Sequence, residues 1–247
     1  EQGILFMSTP FEEESANLLA DLDVELFKIP SGEITNLPLL EHIARKNKPI
    51  ILSTGMAYLS EVEVAVRTIE NAGNRDLILL HCVSNYPTDP SDANLRALQT
   101  MAQAFNLPVG FSDHTLGTEI AMAAIALGAS VIEKHFTLDR TLPGADHQAS
   151  LEPDELNQLV LGIRHVEAAL GHGRKIPAES EMNTATVARK SLVATQEIQA
   201  GTTLTEALVT IKRPGTGLPP MMLPHLLGRT LKVDISANQL FSLEMFA

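Results

Sequence analysis

Short aliphatic runs recur through the first part of the chain, and each is followed by polar turn residues and then by a stretch with helical periodicity. This alternation constrains the fold more than any other feature, because neighbouring parallel strands need a crossover connection that is usually a helix. The sequence therefore predicts an α/β fold built on a parallel sheet. The predicted strands cover residues 3–8, 25–29, 49–53, 77–82, 108–112 and 130–134.

Two architectures fit this alternation, an open doubly wound sheet and a closed barrel. Polar residues follow the carboxyl end of every predicted strand, and only a closed barrel brings all of these ends to one mouth. In an open sheet, ligands gather at a single switch point. The sequence therefore favours a TIM (β/α)8-type barrel. The polar clusters are Ser8-Thr9, Lys28 with Ser31 and Glu33, Ser53-Thr54, His81 to Tyr86, Ser112 to His114, and Glu133 to His135.

Capping residues mark helix boundaries between the strands. Ser60 stands before an acidic first turn and is predicted to cap a helix that ends before Gly73. A second helix is predicted from Pro153 to Leu170, with Gly171 after its end.

The strand–helix alternation stops at about Pro177. Short β-like pieces at residues 191–195, 209–212 and 230–233 are separated by Gly- and Pro-containing turns. We therefore predict a barrel domain over residues 1–175, a linker over 176–186, and a small β-rich domain over 187–247.

Charge and cysteine content exclude several classes of protein. Thirty acidic against 18 basic residues give a formal charge of −12, which opposes binding to nucleic acid or to an anionic membrane. The single cysteine, Cys82, excludes an internal disulfide framework, and we interpret it as a structural thiol. With no long apolar run and no signal sequence, a cytoplasmic location is expected.

Two histidines end neighbouring predicted strands, His114 in Ser112-Asp113-His114-Thr115 and His135 in Glu133-Lys134-His135-Phe136. Adjacent parallel strands lie about 4.8 Å apart, so both imidazoles can reach one divalent ion. Two nitrogen ligands leave positions for water and substrate oxygen, as a Lewis-acid site requires. The alternative is that each is an ordinary hydrogen-bonded histidine near a loop.

Hydroxyl groups, glycines and one lysine at the strand ends suggest a binding site for a phosphate and a carboxylate. Ser, Thr and Gly are also ordinary turn residues, so the lysine carries most of this interpretation. Lys28 lies within a strand pattern, where an unpaired ammonium is rarely left buried. The acidic candidates near the mouth are Glu33, Glu133 and Asp146, of which Asp146 taken alone also fits a solvated loop acid.

A series of motifs follows in order along the chain: Phe6-Met7-Ser8-Thr9-Pro10-Phe11, Lys28-Ile29-Pro30-Ser31-Gly32-Glu33, Ile51-Leu52-Ser53-Thr54-Gly55-Met56, His81-Cys82-Val83-Ser84-Asn85-Tyr86-Pro87, Ser112-Asp113-His114-Thr115, Glu133-Lys134-His135-Phe136 and Pro143-Gly144-Ala145-Asp146. They resemble the strand-end motifs of the N-acetylneuraminate (sialic acid) synthase family, which includes legionaminic acid synthase-type enzymes. The tail, with Arg189-Lys190-Ser191-Leu192 and Lys212-Arg213-Pro214-Gly215-Thr216-Gly217, resembles the SAF (antifreeze-like) domain of that family.

The resemblance implies a role for each matching residue. His114 and His135 would bind a divalent metal, Mn²⁺ first, with Mg²⁺ or Co²⁺ as alternatives, and would act in catalysis with Glu33 and Glu133. The sugar would contact Tyr86, Asp146 and Arg213. Phosphoenolpyruvate would be held by Thr9, Lys28, Ser31, Ser53, Ser84 and Ser112.

The activity implied by the resemblance is that of a transferase. It condenses phosphoenolpyruvate with an N-acyl hexosamine, N-acetylmannosamine or a related 2,4-diacetamido sugar, and releases a nonulosonic acid and phosphate by C–O cleavage. A domain-swapped homodimer is also implied, in which the SAF domain caps the barrel of the partner subunit. The family barrel has eight strands and the motifs begin at the third, so we interpret the chain as part of a longer protein.

Two other functions fit the residues. A Schiff-base aldolase or lyase would use Lys28 as its nucleophile. A non-catalytic barrel would bind a saccharide and use the C-terminal domain as an interaction module. Phosphate release from phosphoenolpyruvate distinguishes the synthase from both.

Overall fold

A computed structural model describes residues 3–247, which form two compact units divided after His172. The predicted linker at 176–186 falls within the second unit and contains the start of a helix, Met182–Ala188. In the described part of the chain, no helix is long and apolar enough to cross a membrane.

The first unit is built on a five-stranded parallel sheet whose strand order follows the sequence. The strands lie close to five of the predicted ones. They are β1 (Phe27–Ile29), β2 (Ile50–Ser53), β3 (Leu77–Cys82), β4 (Val109–Asp113) and β5 (Ile132–Lys134). The helices are α1 (Glu13–Asp21), α2 (Leu37–Ala44), α3 (Leu59–Asn71), α4 (Arg96–Phe105), α5 (Glu119–Ala126) and α6 (Pro153–Leu170).

The strand predicted at residues 3–8 is wrong. These residues form no strand, and the side chains of Ile4 and Leu5 are 85% and 72% exposed. An aliphatic run is a strand only when a neighbour accepts its backbone hydrogen bonds, and pattern alone does not reveal that neighbour. After β5, a single parallel bridge between Phe136 and Leu151 extends the sheet.

The sheet is strongly curled. The Nζ atom of Lys28 in β1 lies 3.4 Å from Oε1 of Glu133 in β5, although three strands separate them. In a flat sheet these strands would be about 19 Å apart. Among the described residues β1 and β5 do not pair with each other, so the structure is a curled half-barrel, and the closed barrel stays a prediction.

Gly110 permits close contact on the concave face of this sheet. A Cβ atom at this position would lie 2.5 Å from both Leu80 Cδ2 and the carbonyl oxygen of Val131. Any larger residue would therefore push β4 away from its neighbours.

The two faces of the sheet differ in chemistry because successive side chains of a strand point to opposite sides. On the convex face, Phe27, Leu52, Leu79 and Phe111 pack with the helices in one apolar core. The intervening residues of the strands line the concave face. They include Lys28, Ser53, Cys82, Ser112 and Glu133.

The predicted helix boundaries agree with the structure, apart from one cap. Tyr58, not Ser60, precedes α3, and its N–H donates to Glu61 Oε2 at 2.8 Å. The helix α6 runs from Pro153 to Leu170, as predicted, and Gly171 follows with φ +57°.

The second unit contains helix α7 (Met182–Ala188), antiparallel strands β6 (Ser191–Ala194) and β7 (Val209–Lys212), and a short helix α8 (Leu223–Leu226). The β-like piece predicted at 230–233 forms single antiparallel bridges, from Thr230 to Thr203 and from Leu231 to Phe246, and among the described residues it does not form a full strand. The unit has its own apolar core, which includes Leu192, Leu204, Ile235, Phe241 and Phe246.

Candidate active site

A cavity of about 600 Å³ opens at the carboxyl end of the curled sheet. Parallel strands end there together, which brings residues distant in sequence to one place. Of the predicted site residues, the structure brings the following to the cavity wall: Thr9, Lys28, Ser31, Ser53, Ser84, Tyr86, Ser112, His114, Glu133 and His135.

One part of the cavity is arranged to receive an anion. Lys28 is buried at 7% exposure, and its ammonium contacts Glu133 at 3.4 Å and the carbonyl oxygen of Ile29 at 3.3 Å. The hydroxyl of Ser53 is buried and has no hydrogen-bond partner among the described residues. Buried polar atoms are nearly always satisfied, so this hydroxyl is available to bond a ligand in the cavity.

Two further hydroxyls converge on Gly55 at the end of β2. The N–H of Gly55 donates to Ser31 Oγ at 2.9 Å. A Cβ atom on Gly55 would lie 2.4 Å from Ser84 Oγ and 2.8 Å from Ser31 Oγ. Glycine is therefore required for both serine hydroxyls to come this close to the backbone that follows β2.

The two imidazoles predicted to share a metal lie together. The ring centroids of His114 and His135 are 5.3 Å apart, and the ring of Tyr86 packs 4.1 Å from the first and 5.5 Å from the second. His114 Nδ1 lies 2.8 Å from the carbonyl oxygen of Val83. Because a carbonyl only accepts, Nδ1 carries the proton and Nε2 keeps the free lone pair that metal binding needs.

The donor set fits an ion that takes further ligands from water and substrate. The described residues contain no group of three or more His, Cys, Asp or Glu side chains arranged to hold a metal. Two imidazoles alone leave several coordination positions free, as a Lewis-acid site requires and a closed structural site does not.

Cys82 lines the cavity, although the sequence-based interpretation gave it no role in the site, and the same is true of Lys134. The Sγ atom of Cys82 lies 3.9 Å from His114 Nδ1. The signal was available, because Cys82 pairs with Ser112 across β3 and β4 and therefore faces the same side. Burial opposes ionisation of this thiol, but His114, Ser31 and Ser112 together hold the pKa of Cys82 below its ordinary value.

Neighbouring groups also change the pKa of His114 and Tyr86, two residues of the cavity wall. Burial alone would lower the pKa of His114, but contacts with Cys82, the carbonyl of Val83 and the charge of Glu133 raise it overall. Burial, followed by the negative charges of Cys82, Asp146 and Glu133, raises the pKa of Tyr86. Tyr86 therefore stays a neutral phenol through the physiological range.

Glu33 and Asp146 do not line the cavity. The carboxylate of Glu33 accepts a hydrogen bond from Asn36 Nδ2 at 2.7 Å within the turn after β1. Asp146 lies in the loop after β5, with Oδ2 at 3.9 Å from His135 Nδ1 and a side chain that is 59% exposed. Asp146 is therefore close to the histidine pair, whereas Glu33 is engaged elsewhere.

Arg213 belongs to the second unit, directly after β7. Its Nε donates to the carbonyl oxygen of Ala188 at 3.2 Å, and its side chain is exposed.

Comparison with known proteins identifies the family of the chain. The model of the NeuB family matches residues 1–175, and that of the SAF domain matches residues 189–247. The chain belongs to the NeuB family and carries a SAF domain.

Relatives with assigned names are similar over nearly the whole chain. N,N'-diacetyllegionaminic acid synthases of Legionella pneumophila and Campylobacter jejuni are 46% and 48% identical over 240 residues, which is 96% of this chain and 67% and 72% of theirs. A crystal structure of N-acetylneuraminic acid (sialic acid) synthetase from Leptospira borgpetersenii, in complex with citrate, is 45% identical with a TM-score of 0.69. It covers 73% of this chain and 63% of that one. The chain thus spans about two thirds of the length of these relatives.

Proposed function

We propose that this chain is the larger part of a synthase that condenses phosphoenolpyruvate with an N-acyl hexosamine to give a nonulosonic acid and phosphate. The acceptor is N-acetylmannosamine or a related 2,4-diacetamido sugar. The single observation that carries the proposal is the cavity in which the ammonium of Lys28 and the unpartnered hydroxyl of Ser53 lie beside His114 and His135. The synthase relatives support the same reaction class.

In this proposal, phosphoenolpyruvate binds to the cationic and hydroxyl side of the cavity. Lys28 neutralises part of its charge, and the hydroxyls of Ser53, Ser31 and Ser112 donate to phosphate or carboxylate oxygens. Charge-assisted hydrogen bonds of this kind are stronger than neutral ones. Thr9 and Ser84, at the rim of the same wall, complete this set.

His114 and His135 would hold the divalent ion, with Mn²⁺ proposed first and Mg²⁺ or Co²⁺ as alternatives. When bound, such an ion supplies a Lewis acid for the aldehyde oxygen of the open-chain sugar, on which negative charge grows in the transition state. The residues themselves contribute orientation, because the hydrogen bond to Val83 fixes the ring of His114 with Nε2 free.

The proposed reaction forms one C–C bond and breaks the C–O bond to phosphate. The C2=C3 π electrons of phosphoenolpyruvate attack the aldehyde carbon, which forms the new C–C bond and leaves an oxocarbenium at C2. The aldehyde C=O π bond breaks at the same time, and its oxygen takes up a proton to become a hydroxyl of the product. Water adds to C2 and loses a proton, for which Glu133 supplies the one carboxylate among the described residues of the cavity wall. The C2–O bond then breaks, phosphate leaves, and C2 becomes the ketone of the product.

The sugar is proposed to bind above the histidine pair. The ring of Tyr86 offers an apolar surface there, and Asp146 can accept a hydroxyl hydrogen. The resemblance adds a domain-swapped homodimer in which Arg213 of the partner subunit contacts the N-acyl group. Sedimentation of the protein, and an Arg213→Ala variant that raises KM for the sugar but not for phosphoenolpyruvate, would test this part.

The reaction is tested with phosphoenolpyruvate carrying ¹⁸O in the bridging C–O–P position. The full-length protein is incubated with Mn²⁺ and a panel of acyl amino sugars, and phosphate is analysed by mass. We expect phosphate release only when a sugar is present, with the label in the phosphate. Label in the organic product would contradict C–O cleavage, and no release with any sugar would contradict the synthase.

The Schiff-base alternative predicts a different chemical result. A Schiff-base lysine reacts as a neutral amine, whereas the ion pair of Lys28 with Glu133 suits an ammonium that binds anions. Borohydride treatment with pyruvate or the sugar should therefore leave Lys28 unmodified. A covalent adduct at Lys28 would favour the aldolase.

A further inference from the structure

The ion pair between Asp113 and Lys134 is the most deeply buried one in the described part of the chain. Lys134 Nζ lies 2.7 Å from Asp113 Oδ2, and their side chains are 4% and 0% exposed. The proposed reaction uses neither group. Each residue directly precedes one of the two histidines, at the ends of β4 and β5.

The pair stands where backbone pairing stops. Asp113 and Lys134 are the last register partners of β4 and β5. His114 and His135 follow them, and their carbonyl oxygens accept from Thr88 and Leu151 instead of from each other's strand. No ladder hydrogen bond therefore fixes the separation of the two imidazoles.

Side-chain hydrogen bonds replace the missing ladder. Lys134 Nζ donates to the carbonyl oxygen of Thr115 at 2.6 Å as well as to Asp113. Asp113 Oδ1 accepts from the N–H of Thr115 at 2.9 Å and from its hydroxyl at 2.7 Å. Lys134 of β5 is thus bonded to the residues on both sides of His114.

The pair lies at the edge of the site. Of the two residues, Lys134 is among those that line the cavity, but its side chain is only 4% exposed and its ammonium is engaged with Asp113 and Thr115. A buried ion pair is weak evidence for stability, because its desolvation cost offsets much of the attraction. Its place between the two histidine-bearing strand ends indicates a positional role.

We propose that Asp113 and Lys134 are positioning residues that set the separation of His114 and His135 for joint binding of one divalent ion. The inference rests on the proposed function, because it takes the two imidazoles as ligands of the same ion. It predicts that breaking the cross-link weakens ion binding even in a protein that remains well folded.

The test measures Mn²⁺ affinity by water-proton relaxation, together with the melting temperature, in the full-length protein. We expect Lys134→Met to lower Mn²⁺ affinity at least tenfold and to lower the melting temperature, because it leaves the Asp113 carboxylate buried without its cation. The double variant Asp113→Asn/Lys134→Met removes both charges. It should recover the melting temperature while its Mn²⁺ affinity stays at least tenfold low.

A control with the same bonds but a more exposed ion pair exists at the opposite end of the sheet. Lys48 Nζ contacts Asp23 Oδ1 and the carbonyl oxygen of Val24, both at 2.6 Å, so it makes the same two kinds of bond as Lys134. It lies before β2, away from the histidines. Lys48→Met should therefore leave Mn²⁺ affinity unchanged.

A kinetic readout separates positioning from general damage. Lys134→Met should lower kcat for phosphate release while KM for phosphoenolpyruvate changes less than twofold, because the anion-binding residues are untouched. Mn²⁺ affinity equal to the parent in the well-folded double variant would overturn the inference. If the parent itself neither binds Mn²⁺ nor releases phosphate, the proposed function fails, and the positioning role fails with it.

Discussion

The two compact units bury polar groups in different ways. In the described part of the chain, Ser191 is the one buried polar side chain of the second unit, and it is satisfied: its Oγ donates to the carbonyl of Pro214 and accepts from the N–H of Gly217. The first unit buries many more, including Lys28, and the hydroxyl of one of them, Ser53, has no hydrogen-bond partner among the residues that the structure describes. Polar burial that is fully satisfied serves the fold, whereas unsatisfied burial in a cavity indicates ligand binding.

The largest expected effect tests the first unit. His114→Ala should reduce metal-dependent phosphate release by more than about a thousandfold, because it removes one of the two proposed ion ligands. The fold should remain, as judged by circular dichroism. His165→Ala, on the exposed face of α6, is the control and should keep parental kcat. Full activity of the His114 variant would exclude the proposed site.

In the second unit, the loss of a core side chain should lower the free energy of unfolding. Phe241 is fully buried there, with its ring 5.8 Å from that of Phe246. Phe241→Ala should destabilise this unit by about 3–5 kcal/mol through lost burial and a cavity. Calorimetry checks this, and Leu243→Ala, at a side chain that is 52% exposed, should cost far less. Equal losses for the two variants would contradict the described core.

The buried hydroxyl of Ser53, which has no partner among the described residues, allows a test of whether such a group serves substrate binding. Ser53→Ala removes a buried hydroxyl without a partner, so we expect the free energy of unfolding to change by less than about 0.5 kcal/mol. The loss of a hydrogen bond to a charged ligand should raise KM for phosphoenolpyruvate about tenfold to a hundredfold. Steady-state kinetics and denaturant unfolding measure the two quantities. A large stability loss with unchanged KM would assign Ser53 to the fold.

Ser191→Ala is the complementary change and has the smallest expected effect. It leaves the N–H of Gly217 without its acceptor, which should cost about 1–2 kcal/mol of stability in the second unit. KM for phosphoenolpyruvate should stay at the parental value. Urea unfolding followed alongside kinetics provides the check, and a selective rise in this KM would remove the distinction between the two serines.

Much of the fold was predictable because its signals are local. Periodicity located five of the six strands proposed for the first unit, and Pro153 with Gly171 bounded α6 correctly. Residues 3–8 form no strand and residues 230–233 form only single bridges, since both are β-like runs whose pairing depends on partners elsewhere in the chain. The helix α3 begins after Tyr58 and not after the predicted cap Ser60, because the side chain of Glu61 accepts a hydrogen bond from the N–H of Tyr58.

Most of the cavity wall was predictable, although Glu33 and Asp146, which the sequence also suggested for the site, do not line it in the described structure. Motifs at strand ends identified Lys28, Ser53, His114 and His135, since parallel strands deliver their carboxyl ends to one edge. The role of Cys82 was missed, because a lone cysteine after an apolar strand looks structural until its register with Ser112 is known.

By itself, the sequence determined the order of strands and helices, the end of their alternation near Pro177, and which polar residues follow the strands. These features depend on residues that are neighbours in the chain. Only the tertiary structure decided that β1 and β5 curl toward each other until Lys28 contacts Glu133. It also decided that the Ser53 hydroxyl has no hydrogen-bond partner among the described residues, and that Asp113 and Lys134 link the two strand ends that carry the histidines. These features depend on distances between residues far apart in sequence, which periodicity and composition do not encode.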